Sequence, residues 1–227
     1  MKTISNSIHS IGFSTHVALL MLSLGAVSFG VASPAVADDS SDSKQIEHQI
    51  RVAEQHQLVI HNSVGSLDIR YAEQPYVSVE VTFEGQRSGV LRRKTDVSNM
   101  DIAINQNNRK LELRFEENNV NARWVVVAPA FAAIHIQQGV GSIESQHFSG
   151  NTTIKLGVGD VEIWLDPNLL ADLDARVGVG AVSTQGLNDT RSNRRVVSES
   201  VTASGNGEYK LAAEVGVGDI RVRNLSQ

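Results

Sequence analysis

Apolar and polar residues alternate along most of the chain beyond residue 45. Val77, Val79, Val81 and Phe83 alternate with Tyr76, Ser78, Glu80 and Thr82, and Leu111, Leu113 and Phe115 with Lys110, Glu112 and Arg114. Ile102 and Ile104 alternate with Asp101 and Ala103, and residues 105–108 (NQNN) read as the turn that follows. A period of two buries one face of a strand and wets the other, so these segments predict strands. No segment carries helical period over a useful length. Residues 167–175 (PNLLADLDA) could open one helical turn, but Leu173, Ala175, Val177 and Val179 alternate with Asp174, Arg176 and Gly178, again strand period.

A short motif recurs along this pattern. Val-Gly, a small or acidic residue, then an aliphatic one appears as Val64-Gly65-Ser66-Leu67, Val140-Gly141-Ser142-Ile143, Val158-Gly159-Asp160-Val161, Val179-Gly180-Ala181-Val182 and Val217-Gly218-Asp219-Ile220. Gly139, Gly157, Gly178 and Gly216 precede the last four valines. The steps between motif glycines are 76, 18, 21 and 38 residues. Self-similarity near 20 residues marks a repeat architecture, with the 38-residue step read as two units, the middle one degenerate. Apolar alternation breaks by one residue at each motif. A strand changes faces only at a bend or bulge, and glycine permits the positive φ such a bend needs.

Each copy therefore reads as strand, corner, strand, with the flanking aliphatics on both sides pointing inward. Val140, Val158, Val179 and Val217 are expected to form one inner column, and Ile143, Val161, Val182 and Ile220 the next. Asp160 is expected to tolerate alanine, because Ala181 occupies the same position in another copy. The fold class is all-β, a right-handed parallel β-solenoid or β-helix-like repeat domain. The alternative is an antiparallel β-sandwich in which each Gly-Asp or Gly-Ser pair closes a tight hairpin.

Residues 125–165 (VVVAPAFAAIHIQQGVGSIESQHFSGNTTIKLGVGDVEIWL) carry a strand ending near a proline, then Gly-Asp-aliphatic repeats. Residues 205–211 (GNGEYKL) followed by residues 216–220 (GVGDI) are similar in kind. The stretch resembles the bacterial putative-adhesin family of β-solenoid domains with Gly-x-Gly-Asp rungs, a domain of unknown function. The resemblance covers about residues 46–227 and implies an exported domain of right-handed β-helix type, with no family active site to carry over.

The N-terminus changes the picture of where the chain works. Lys2, an apolar run over residues 17–31 (VALLMLSLGAVSFGV) and Ala35-Val36-Ala37 ahead of Asp38 have the parts of a secretory signal peptide. Residues 1–37 are assigned to that signal, 38–45 to a flexible tether and 46–227 to the β-repeat domain. A retained anchor is the competing reading of the apolar run, which is short and broken by Gly25 and Gly30. The destination is the periplasm or the extracellular space. The sequence has no cysteine, so no disulfide assists the fold. Lys2 is the one charged residue of the signal, so its removal takes the formal charge from −5 to −6. That sign disfavours nucleic acid and anionic membranes as general partners.

Candidate chemistry is sparse. The Gly-x-Gly motifs precede strands, whereas dinucleotide binding needs a third glycine and a helix. Only Asp160 and Asp219 place carboxylates after the motif glycine, against Ser66, Ser142 and Ala181, too few oxygens for a calcium cage. His48, His56, His61, His135 and His147 have no metal-ligand spacing, and His135 between two isoleucines is expected on the wet face. Ser41 and Lys44 share the tether. Asp172 and Asp174 could pair as acid and base, as glycoside cleavage requires, or simply sit solvated on one strand face. Basic clusters at residues 91–94 (LRRK) and at Arg191, Arg194 and Arg195 are expected in loops. Lys155, Glu162, Trp164, Arg176, Arg221 and Arg223 face outward without forming a convergent acid set.

The sequence thus points to a non-catalytic exported module of the cell envelope that binds an envelope protein or an acidic or polar polymer. No catalytic, cofactor or metal site is assigned. A carbohydrate-active β-helix enzyme and a structural periplasmic partner of another envelope protein are the alternatives.

Overall fold

A computed structural model describes residues 42–52, 57–88, 93–146, 150–187 and 190–225. The expected signal peptide lies outside the described residues. The strands in chain order are β1 (Ser43–Arg51), β2 (Gln57–Tyr71), β3 (Tyr76–Gly85), β4 (Arg87–Ser88), β5 (Arg93–Lys94), β6 (Ala103–Gln106), β7 (Lys110–Phe115), β8 (Val120–Ala128), β9 (Ala133–Ser145), β10 (Asn151–Leu165), β11 (Leu170–Val179), β12 (Val182–Gln185), β13 (Arg191–Arg194), β14 (Glu199–Ser204), β15 (Tyr209–Val217) and β16 (Ile220–Asn224). Fourteen of them join in one large mixed sheet, and β4 and β5 pair separately. Among the described residues there is no α-helix. Pro167–Leu169 makes one 3-10 turn, started by the Asp166 carboxylate accepting from the Asn168 N–H at 2.9 Å, and β11 follows directly. β1 begins at Ser43, opposite Glu84, so residues 43–45 are paired strand rather than tether.

The middle of the sheet is a parallel stack. β9 lies between β2 and β10, with Gly65 opposite Gly141 and Gly141 opposite Gly159. β10 pairs on its other side with β15 before the corner and β16 after it, and these pair in turn with β11 and β12. Val158, Val217 and Val179 share one level across the strands, as do Val161, Ile220 and Val182. β10 continues through Gly159-Asp160 as one strand with parallel partners on both sides, so the tight hairpin considered at this motif does not form.

The chain does not climb this stack in order. β15 and β16 insert between β10 and the earlier β11 and β12. The 38-residue interval between Gly180 and Gly218 holds β12, an antiparallel hairpin of β13 and β14, and β15, not a degenerate copy of the corner. Beyond β2, the level is split. Its first arm pairs with β7 and its second with β8, and exposed residues 116–119 replace the glycine corner. Antiparallel strands finish both ends: β6 on β7, β3 on β8, β1 on β3, β14 on β11 and β13 on β14.

The core fills the angle between the two arms of the bent strands. In β10, Ile154 and Leu156 before the corner and Val161, Ile163 and Leu165 after it are all buried. Each contributes about 1.5–3 kcal/mol by leaving water. Phe83 of β3 meets Phe115 of β7 at 4.6 Å between ring centroids, tying the second arm to the first. One polar pair interrupts this core. Asn62 donates to Gln138 Oε1 at 3.2 Å, and Gln138 Nε2 donates to the Gly65 carbonyl at 3.0 Å.

Candidate binding surface at the strand corners

The corners are built by backbone contact. Gly65, Gly141, Gly159, Gly180 and Gly218 have φ between +131° and +143°, which L side chains rarely adopt. A Cβ on Gly159 would lie 1.7 Å from the Gly141 carbonyl oxygen, and one on Gly218 would lie 1.8 Å from that of Gly159. Only glycine fits where successive corners touch.

The residue after the glycine has a role that the sequence reading missed. Asp160 Oδ1 accepts from the Asp219 N–H at 3.1 Å, and Asp219 Oδ1 accepts from the Ala181 N–H at 3.0 Å. Each aspartate satisfies a backbone donor of the next corner. Ala181 immediately precedes β12, whose sheet partner is β16 alone, so no further corner follows for it to serve. Its presence is therefore no evidence that Asp160 is dispensable. The Val182 N–H, then the Ser192 hydroxyl, hold the Glu199 carboxyl below its usual range, and that carboxylate closes the outer edge of β12.

The valines before the glycine point outward, not inward. Val140, Val158 and Val217 are 47% exposed and Val179 is 49% exposed. Inward positions jump from Leu156 to Val161, because the chain turns between Gly157 and Gly159 and leaves Val158 on the convex apex. The second expected column, Ile143, Val161, Val182 and Ile220, is buried as anticipated. The result is an apolar ridge along the outside of the stack, with Val64 half-buried at one end. At the other end the Gly180 N–H donates to the Val197 carbonyl at 3.2 Å, which brings Val197, 60% exposed, next in line after Val179.

The outward charges largely neutralise one another. Asp174 pairs with Arg176 at 2.6 Å and Asp172 with Lys210 at 3.2 Å, so the two aspartates considered as an acid–base pair are each tied to a cation. Arg221 lies 3.2 Å from Asp219 and 3.8 Å from Asp160. Arg223 pairs with Glu162 at 3.1 Å and lies over the Trp164 ring at 5.0 Å. His48 bonds Asp101 at 2.9 Å, His61 lies 3.9 Å from Glu112, and His135 is exposed as expected. His56, His147, Ser41, Leu91 and Arg92 lie outside the described residues. Lys44 donates to the Met100 carbonyl at 2.7 Å, and Lys94 pairs with Asp42 at 2.7 Å.

Arg191 and Arg194 are not in a loop but in β13, an edge strand whose four residues are all exposed, and Arg195 opens the turn to β14. Arg191 and Arg195 make no ion pair among the described residues. Away from the corners, Val52, Tyr71, Pro75, Pro129, Phe131 and Tyr209 line a groove of about 890 Å³ where β2 and β8 end and β15 begins. Its residues come from four separate segments, so no local pattern marks it in the sequence.

Solved structures similar to this chain include a putative cell adhesion protein from Clostridium sporogenes, at 16% identity and TM-score 0.49, covering 80% of this chain and 100% of that one. A putative adhesin from Bacteroides fragilis aligns at 13% identity and TM-score 0.28, covering 79% of this chain and 97% of that one. No family model and no curated protein matches the chain.

Proposed function

We propose that this is a non-catalytic, exported binding module of the cell envelope, of the adhesion type, acting after removal of residues 1–37. Its stacked parallel strands are the rungs of a right-handed β-solenoid with antiparallel ends, a rigid support for outward-facing columns. The observation that carries the reading is the contrast on the outer surface. Asp172, Asp174 and Glu162 are paired with neighbouring cations, while Arg191 and Arg195 are exposed at the terminal hairpin and make no ion pair among the described residues. Such an edge suits an acidic polymer or an acidic protein surface, met by exposed guanidinium groups.

The test is binding of the purified exported protein to an immobilised uronic-acid polymer at low and high salt, with assay of new reducing ends. Binding should weaken with salt, since exposed charges are screened over about 8–10 Å at physiological ionic strength. The triple variant Arg191→Ala, Arg194→Ala, Arg195→Ala should bind less at low salt. Equal binding by both proteins in every condition would remove the hairpin from the site. Sustained release of reducing ends would replace this reading with the β-helix enzyme.

A further inference from the structure

We propose that a second copy of this chain docks along the corner ridge, the two ridges antiparallel about a two-fold axis. This goes beyond the acidic-polymer reading and stands first on the corner valines, sharing only Arg194 and Arg195 with it.

The ridge is apolar at each of the five motif levels. The residue before the corner glycine is valine in all five motifs, whereas the residue after it is Ser, Ser, Asp, Ala or Asp. A strand position facing water accepts threonine as readily as valine, with the same branching at Cβ. Exposed apolar side chains aligned on one edge are what contact surfaces present.

Register and charge select the occupant. Counting strand levels across the stack, the β7–β8 level comes first, followed by Val64, Val140, Val158, Val217 and Val179, then β14 with Val197 nearby, and finally β13. The first level ends in an exposed loop where Glu116 is already paired with Arg114 at 3.0 Å and Glu117 supplies the acidic charge, and the last carries Arg194, with Arg195 in the adjoining turn. One end of the ridge is acidic and the other basic. A two-fold axis midway between β10 and β15 sets Val158 against Val217, Val140 against Val179 and Val64 against Val197 of the other copy. The same axis sets Glu117 against the basic turn at both ends. The ridge is thus complementary to itself, as an isologous interface requires.

From Val64 to Val197 the ridge spans five strand spacings, about 24 Å. A strip about 12 Å wide then buries on the order of 300 Å² per copy, well short of the roughly 800 Å² per partner of a standard stable complex. The dimer is therefore weak and concentration-dependent.

Sedimentation of the exported protein from about 1 to 200 μM spans the affinities expected of so small an interface. Dimer should appear as concentration rises. Changing Val140, Val158, Val179 and Val217 together to threonine should weaken dimerisation at least about tenfold while keeping a cooperative thermal transition. A second pair of variants avoids the corners altogether. Glu117→Arg should weaken the dimer, and adding Arg195→Glu should restore it by exchanging the two charges. A monomer at all concentrations, a dimer indifferent to the threonine changes, or a charge reversal not rescued by its exchange would each overturn the proposal. A monomer that still binds the uronic-acid polymer would overturn this proposal alone and leave the binding reading intact.

Discussion

Replacing Gly159 by alanine should cost about 3–5 kcal/mol, more than any single side chain on the outer surface. Two terms add. The residue has φ +134°, and holding a non-glycine residue in such a region costs roughly 1–3 kcal/mol. The new Cβ would also lie 1.7 Å from the Gly141 oxygen and 2.8 Å from its carbonyl carbon. An ordinary carbon–oxygen contact is near 3.3 Å, so β9 and β10 must separate locally by about 1.5 Å, weakening two or three bonds worth about 1 kcal/mol each. A domain of this size shifts by roughly 2–4 °C per kcal/mol, so the melting temperature should fall by about 6–20 °C. Gly178→Ala is the graded control. It lacks the positive φ, and its Cβ would lie 2.6 Å from the Gly216 oxygen, so its cost should be smaller. Urea and thermal unfolding of the three proteins side by side measure the difference. A Gly159→Ala protein within about 1 kcal/mol of wild type, or no worse than Gly178→Ala, would refute the account of the corner as a backbone contact.

Other consequences follow from the same geometry. Asp160→Ala removes the acceptor of the Asp219 N–H and should destabilise by about 1 kcal/mol in urea titration, with Asp160→Asn recovering most of it. Hydrogen bonds from Lys110, then Arg114, bring the Glu112 carboxyl from 4.5 to about 2. Its contribution is therefore complete above pH 4.5 and lost as pH falls toward 2, and Glu112→Gln should flatten that part of a stability–pH curve. Trp124 is fully buried and its indole N–H has no partner among the described residues, so Trp124→Phe should cost far less than Trp124→Ala, which should cost about 3–5 kcal/mol by calorimetry. Intact mass of exported protein should correspond to a chain beginning at Asp38; retention of residues 1–37 would refute the cleavage assignment.

Local physics made the strands and corners legible from the sequence. Period-two alternation in Val77 to Phe83 and in Leu111 to Phe115 depends only on which face is wet, and those residues are buried as expected. The need for glycine at 65, 141, 159, 180 and 218 is also local, because positive φ is a property of one residue. What lay beyond reach was set by partners far along the chain. Counting parity places Val158 inside, but the sense of inside changes where the strand bends, so the four valines face solvent. Nothing in the sequence marks that β15 enters between β10 and β11, since parallel pairing is chosen by contacts made across the sheet. The roles of Asp160 and Ala181 depend on that order: an aspartate is useful only where another corner's N–H comes to lie beside it, and the end of a stack exists only once the stack has formed. The ridge and its charged ends are likewise products of assembly, because strands far apart in the chain contribute one valine each.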